Sequence, residues 1–260
     1  MKVLITGNRG YIGRMLHGML AKNGNYDWID GVDLCLGTDI TTQKFVDDYA
    51  GKYDIVFHLA AYVDCRKSVE EPEECFHNNI NGVLNVIRLK PSMIVFASTM
   101  AVYGNEVANA RPDCDTDPAT PYGMSKVIGE YLIKQSGIPY RILRLGCVFG
   151  GSELSRSIVD KLSYGLKIYG DGEQTRDYVH LYDVVAAFMQ SPQWEQGIYN
   201  VGNGIPYSVN QIADMRGTRK EYIPAVPEQR SCYLDNSKTI KAGWKPAWPL
   251  KKYLSTPTWL

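Results

Sequence analysis

Tyr122 and Lys126 stand four residues apart in the segment YGMSK, just after Pro121, a residue suited to the first turn of a helix. On a helix that spacing puts the phenol and the ammonium on one face, one turn apart. The chemistry this pair offers is proton transfer. A free tyrosine titrates near pH ~10, so acting as a base near neutrality requires a drop of ~3 units, or ~4 kcal/mol. An ammonium ~4 Å away supplies ~1 kcal/mol in bulk water and ~4 kcal/mol at an effective dielectric of ~20. The pair therefore works where water is largely excluded, and a further positive charge brought into such a site would add to it. Taken alone, a tyrosine and a lysine at this spacing also describe many solvated helices. Upstream, FASTMAVYG places Ser98 and Thr99 at the C-terminal end of a buried strand, where open α/β sheets put their ligands. A hydroxyl there can hold a substrate oxygen while Tyr122 carries its proton.

A second constellation lies at the start of the chain. Lys2 to Thr6 is apolar or β-branched throughout, as in a strand buried on both faces, and GNRGYIG (Gly7 to Gly13) follows with the spacing G-x-x-G-x-x-G. Ile12, Met15, Leu16, Met19 and Leu20 then repeat as one helical stripe. A dinucleotide pyrophosphate needs bare backbone N–H groups at such a helix N-terminus. A tight structural turn is the plainer alternative, but Asp33, twenty residues beyond Gly13, favours the cofactor. Asp33 ends the second strand, where a carboxylate accepts from the adenosine ribose hydroxyls and repels a 2′-phosphate, so the sequence predicts NAD rather than NADP. The competing role for Asp33 is to cap the next turn. Asp39 in TDI faces the same choice between the adenine amino group and a turn.

These groups need a frame. Short apolar runs at Trp28 to Val32, Ile55 to Leu59, Met93 to Ala97, Ile142 to Leu145 and Ile198 to Val201 alternate with helical patterns, which predicts an α/β fold with a doubly wound parallel sheet of Rossmann type. One helix starts near Pro72 with Ile80, Val83, Leu84 and Ile87 on one face. The helix after Pro121 carries Tyr122, Met124, Val127, Ile128, Tyr131, Leu132 and Ile133, too many for one buried stripe, and a subunit contact would explain the surplus. After Gly150, scattered glycines and prolines suggest a smaller interleaved lobe. The expected division is 1–151 with 177–202 for the cofactor domain, and 152–176 with 203–260 for the substrate lobe.

Composition narrows the partners. The 260 residues balance 28 basic against 28 acidic side chains, which points away from nucleic acid and membrane surfaces. Six cysteines are scattered without a C-x-x-C pair and without clustering on the four histidines, so reduced thiols are expected and a metal site is not. MKVLITG runs directly into the first strand, and no apolar run approaches the ~20 residues that span a bilayer. The expectation is a cytoplasmic protein, neither secreted nor membrane-spanning.

The ordered set GNRGYIG, Asp33, HLAA (His58 to Ala61), Asn79, STMAVYG, YGMSK and GDGEQTRDYVH resembles the extended short-chain dehydrogenase/reductases, and specifically the NAD-dependent epimerase/dehydratase family of nucleotide-sugar enzymes. The resemblance covers nearly the whole chain. It implies Thr99, Tyr122 and Lys126 as the catalytic trio, with Lys126 also gripping the nicotinamide ribose. It implies an NAD path along Gly7, Arg9, Gly10, Tyr11, Ile12, Gly13, Asp33, Asp39, Ile40, Leu59, Ala60, Ala61, Asn79, Ala97, Tyr122, Lys126 and Leu145. A packing role is the plainer alternative for Asn79. For the nucleotide sugar it implies Thr99, Met100, Cys147 and Arg176, the last holding the diphosphate with its guanidinium fork. Arg230 is the remaining candidate substrate-binding residue, although it stands further along than the family's second diphosphate-binding arginine, which would follow Pro224. A homodimer is also implied. His58 and His180 are expected in structural hydrogen bonds.

Two departures narrow the chemistry. Met100 and Ala101 stand where 4,6-dehydratases carry an Asp-Glu pair, and elimination of water needs such an acid and base, so dehydration is not expected. Arg144, Leu145, Gly146 and Cys147 replace the Arg-Tyr-Phe-Asn of many 4-epimerases, removing one substrate-contacting amide. The expected reaction is epimerisation of a nucleotide sugar, with carbon 4 the family's commonest target. A keto-sugar reductase or dehydrogenase with net redox turnover is the alternative, and a nucleotide sensor without turnover is the reading from another class.

Overall fold

A computed structural model of the chain describes residues 1–151, 154, 155, 157–225 and 230–255. Strand β1 (Lys2–Thr6) feeds the glycine turn and α1 (Tyr11–Asn23), which Gly24 closes in the left-handed conformation at φ 68°. β2 (Trp28–Val32), α2 (Gln43–Tyr49), β3 (Ile55–His58), the single turn α3 (Lys67–Glu70) and α4 (Pro72–Arg88) follow. Next come β4 (Met93–Thr99), β5 (Glu106–Ala110), α5 (Pro121–Gln135) and β6 (Tyr140–Leu145). Thr120 caps α5 by accepting the Gly123 N–H, and Pro121 opens its first turn. The second half of the chain contributes β7 (Cys147–Phe149), β8 (Leu166–Tyr169), β9 (Thr175–His180), α6 (Leu181–Gln190) and β10 (Gly197–Val201). It ends with β11 (Pro206–Ser208), α7 (Val209–Arg216), β12 (Lys220–Ile223), β13 (Ser231–Leu234), α8 (Ser237–Lys241) and α9 (Leu250–Ser255).

Six strands form a parallel sheet in the order β10-β6-β4-β3-β1-β2. Strand periodicity explains its layers. Val3 and Ile5 of β1 pack toward Leu16, Leu20, Val184 and Phe188 of α1 and α6, while Leu4 between them packs on the other face with Val83, Val86 and Ile133 of α4 and α5. All five apolar runs read from the sequence lie in this sheet.

The lobe boundary differs from the expected one. β9 pairs with β11, β13 and β7, and β5 pairs with β13, so Thr175–His180 and Glu106–Ala110 both belong to a second sheet. A division at 177 cuts β9 in two; residue 152, the other expected edge, lies outside the described residues. A buried strand looks alike in sequence whichever sheet takes its hydrogen bonds, so nothing in Thr175–His180 marks the boundary. Among the described residues, no helix is long and apolar enough to cross a membrane, and no group of histidine, cysteine and acidic side chains could hold a metal. On α5, Met124 and Tyr131 are exposed and Val127, Ile128 and Leu132 half-buried, while Tyr122 and Ile133 turn inward.

Candidate active site

The glycine turn is built by backbone sterics. Gly7 sits at φ 74° and donates its N–H to the Val32 carbonyl at 2.8 Å, and a Cβ there would lie 2.7 Å from the Ala60 nitrogen. A Cβ on Gly13 would lie 2.0 Å from the Gly7 carbonyl oxygen. The N-cap of α1 is Gly10, so no side chain caps the helix and no acid occupies its first turn. Tyr11, Ile12 and Gly13 thus meet the cleft with backbone donors and a positive helix end, which suits a pyrophosphate.

Asp33 lies at the end of β2 as expected, and it also makes the turn contacts of the competing role: Oδ2 accepts the Arg9 N–H at 3.0 Å and Oδ1 the Cys35 N–H at 3.1 Å. Asp39 is exposed and its Oδ1 accepts both the N–H and the hydroxyl of Thr41, the turn role. Ile40 is buried in the core beside Gly82. Neither Asp39 nor Ile40 lines the cleft.

That cleft, about 920 Å³, is lined by Gly7, Leu59, Ala61, Ala97, Thr99, Tyr122, Lys126, Leu145, Cys147 and Arg176 among others. Thr99, Tyr122 and Lys126 are therefore brought together as expected. The Thr99 Oγ1 accepts the Ala101 N–H at 3.2 Å, which fixes it at the strand end. The Lys126 Nζ donates to the Ala97 carbonyl at 3.0 Å and lies 5.9 Å from the centre of the Tyr122 ring. Burial lowers the lysine to about 8, against the opposing influence of Cys75 and Glu130. Burial pushes the Tyr122 phenol above the usual tyrosine range, and the hydrogen bond from Thr99 opposes it only partly. The protein's own groups do not produce the lowering expected from the spacing, because burial of the phenolate outweighs the one contact that opposes it, the Thr99 hydrogen bond.

Asn79 keeps the packing role: it accepts the Tyr62 N–H at 2.7 Å and donates to the Tyr62 carbonyl at 3.1 Å and the Ser125 hydroxyl at 2.8 Å, tying α4 to α5 and to the loop after β3. Ala60 likewise stays off the cleft, its N–H donating to the Thr6 hydroxyl. Met100 is buried with Val102, Tyr103, Cys232 and Leu234, away from the cleft. Arg230 forks onto Asp171 at 2.9 and 2.8 Å, half-exposed and off the lining. His58 hydrogen-bonds the Thr6 hydroxyl at 2.7 Å and is pushed down to about 3 by burial and by Lys126. His180 accepts the Tyr182 N–H as the N-cap of α6 and is lowered to about 4, again by burial. Both histidines have the structural roles expected of them.

The sequence reading missed the loop Val63 to Arg66 and the cleft residues Lys161, Lys167, Tyr169 and Gln174. Arg66 stacks on the Tyr169 ring at 4.1 Å, a contact between the loop after β3 and the strand β8 of the second lobe. DCRKS was findable, since it follows HLAA at the same sheet edge; the residues around β8 carry no comparable signal.

The family described as NAD dependent epimerase/dehydratase matches residues 3–202. The UDP-glucose 4-epimerase of Mycolicibacterium smegmatis is 30% identical over 95% of this chain and 94% of its own. The UDP-glucose 4-epimerase of Thermotoga maritima, solved with UDP-glucose, superposes with a TM-score of 0.87 at 27% identity, covering 98% of this chain and 96% of that one. The UDP-glucose 4-epimerase of Thermus thermophilus in complex with NAD gives 0.85 at 25% identity over the same shares. The glycine turn, the strand-end threonine and the Tyr-Lys helix thus occur here in the setting of that fold, and the chain belongs to the NAD dependent epimerase/dehydratase family.

Proposed function

We propose that this chain epimerises a nucleotide-linked sugar at carbon 4, with NAD as its cofactor and Tyr122 as its proton carrier. The observation that supports it most is the convergence of Thr99, Tyr122 and Lys126 with the uncapped first turn of α1 on one cleft. The solved relatives act on or hold UDP-glucose and NAD by their names. Residues Gly7 to Gly13 would hold the pyrophosphate, Asp33 the adenosine ribose and Lys126 the nicotinamide ribose. Bound there, NAD supplies reversible hydride exchange with the sugar carbon.

Tyr122 takes the proton of the sugar hydroxyl while Thr99 holds the same oxygen, and it returns the proton once the keto sugar has turned its other face. Burial keeps the phenol protonated despite the Thr99 hydrogen bond, so its use as a base depends on positive charge delivered to the closed site. Arg176 would hold the diphosphate. Met100, buried away from the cleft, is no acid or base for elimination, which supports epimerisation over dehydration. The same reading takes the protein as a cytoplasmic homodimer, supported by six cysteines that stand outside disulfides and by the exposed apolar side chains of α5.

Incubating the protein with UDP-glucose and following the sugar signals by proton NMR tests the proposal. The galactose epimer should accumulate to an equilibrium mixture without free NADH. An unchanged sugar across UDP- and dTDP-linked hexoses, or NADH released in step with product, would sink it.

A further inference from the structure

α5 presents a third polar side chain on the stripe that carries Tyr122 and Lys126, four residues beyond the lysine. Glu130 is 2% exposed and faces Arg144, 3% exposed, on β6. The arginine clasps the carboxylate with Nε to Oε1 at 2.9 Å and Nη2 to Oε2 at 2.6 Å, and the Ser98 hydroxyl donates to Oε1 at 2.5 Å. A buried ion pair gives little stability beyond what an apolar pair of like volume would give, because two charges lose their hydration. Stability alone does not account for this one.

Its placement does. Three consecutive residues at the end of β4 are met by three successive turns of α5: Thr99 by Tyr122, the Ala97 carbonyl by Lys126 and the Ser98 hydroxyl by Glu130. Arg144 stacks at 4.7 Å on the Tyr103 ring, whose hydroxyl donates to Asn200 at 2.6 Å. Asn200 in turn donates to the carbonyls of Ala110 on β5 and Asp235 just past β13. One polar chain therefore runs from the catalytic helix to the second sheet.

We propose that Glu130, clasped by Arg144, is a positioning residue that holds α5 in register with the end of β4 and supplies the negative charge that keeps Lys126 an ammonium. This rests on the reading of Tyr122 and Lys126 given above. The other titratable groups around Lys126 are Tyr122 on its own helix, His58 on β3 and Cys75 on α4, while β4 offers the Phe96 ring and the Ala97 carbonyl, and the Arg144 cation on β6 lies on the far side of Glu130 as its partner. Burial favours the neutral form of His58 and of Cys75, which leaves Glu130 as the anion of this set.

Two variants and two readouts test it. Glu130→Gln keeps the volume and an acceptor and removes the charge; the double variant Glu130→Met with Arg144→Met removes the pair without stranding a charge. The first readout needs no turnover: the ¹³C NMR titration of the Lys126 Cε, assigned by its loss in Lys126→Met, should move to lower pH in Glu130→Gln, where the Arg144 cation stays, and less in the double variant, where both charges leave. The second is the pH profile of kcat on the epimerised sugar. We expect kcat to fall about tenfold to a hundredfold, the scale of a small misplacement of reacting groups. The alkaline limb should move down in Glu130→Gln and the thermal midpoint of the double variant should stay near wild type. A folded Glu130→Gln whose Lys126 titrates where wild type does would overturn the proposal, as would a kcat that falls only in proportion to lost thermal stability. A wild type that turns over no nucleotide sugar, with the Lys126 titration still displaced in the variants, would count against the reaction and leave the Glu130 charge relation standing.

Discussion

The ammonium of Lys126 is anchored on the Ala97 carbonyl of β4 at 3.0 Å, behind the ring of Tyr122 and not on its hydroxyl. One of its three protons is spent on the strand, and the residue lines the cleft with two donors left over. Lys126→Met should therefore weaken NAD as well as slow turnover. A hydrogen bond to a charged group is worth ~1.5 to 3 kcal/mol, so Kd for NAD should rise about tenfold to a hundredfold. Calorimetric titration checks this, and an unchanged Kd would remove Lys126 from the ribose.

NAD should bind better than NADP, since the Asp33 carboxylate would face the added phosphate. Because that carboxylate also accepts the Arg9 N–H of the glycine turn, Asp33→Ala should weaken NAD while narrowing the gap between the two cofactors. Titration of both cofactors decides it; equal or tighter NADP binding by the wild type goes against the assignment.

Light scattering at micromolar concentration should report about twice the 29.2 kDa of the chain. Tyr131 is 59% exposed on α5, beyond the reach of the core, so Tyr131→Glu should shift the population toward the monomer with little effect on the monomer's own fold. A wild-type monomer, or a dimer indifferent to that charge, would place the contact elsewhere.

What could be read from the sequence divides along physical lines. The glycine turn was legible because backbone sterics are local: Gly7 and Gly13 tolerate no side chain whatever surrounds them. Tyr122 and Lys126 were legible because helical spacing alone aligns them. Met100 and Arg230 were misplaced because motif position says where a backbone runs, whereas packing against Cys232 and pairing with Asp171 decide where each side chain goes. The Glu130–Arg144 pair and the Arg66–Tyr169 stack join segments far apart in sequence, and neither partner announces the other. The raised Tyr122 phenol depends on burial by the surrounding fold, which no spacing rule contains.

Acid should cost this protein stability through His58, buried neutral against Thr6 and lowered to about 3. Between that value and the unfolded value of ~6.5 the unfolded chain binds a proton that the native state refuses, so stability falls as pH drops through the window. Measured by urea unfolding, the advantage of wild type over His58→Gln should shrink by up to ~1.4 kcal/mol per pH unit below pH ~6.5. Asp177, which burial raises to about 6, is common to both proteins and cancels in the difference. Parallel pH profiles would show that His58 is not held neutral.

The central claim, that Tyr122 carries the proton, is tested most directly by the epimerisation rate of Tyr122→Phe measured beside its NAD affinity. Phenylalanine keeps the buried ring and deletes the hydroxyl, so fold and cofactor binding should persist. A group that both takes and returns the proton belongs toward the upper end of the ~100-fold to ~10,000-fold typical of acid–base catalysis. The account predicts a folded, NAD-binding protein with turnover reduced on that scale. Retention of more than about a tenth of the wild-type rate, far above that range, would mean that another residue carries the proton.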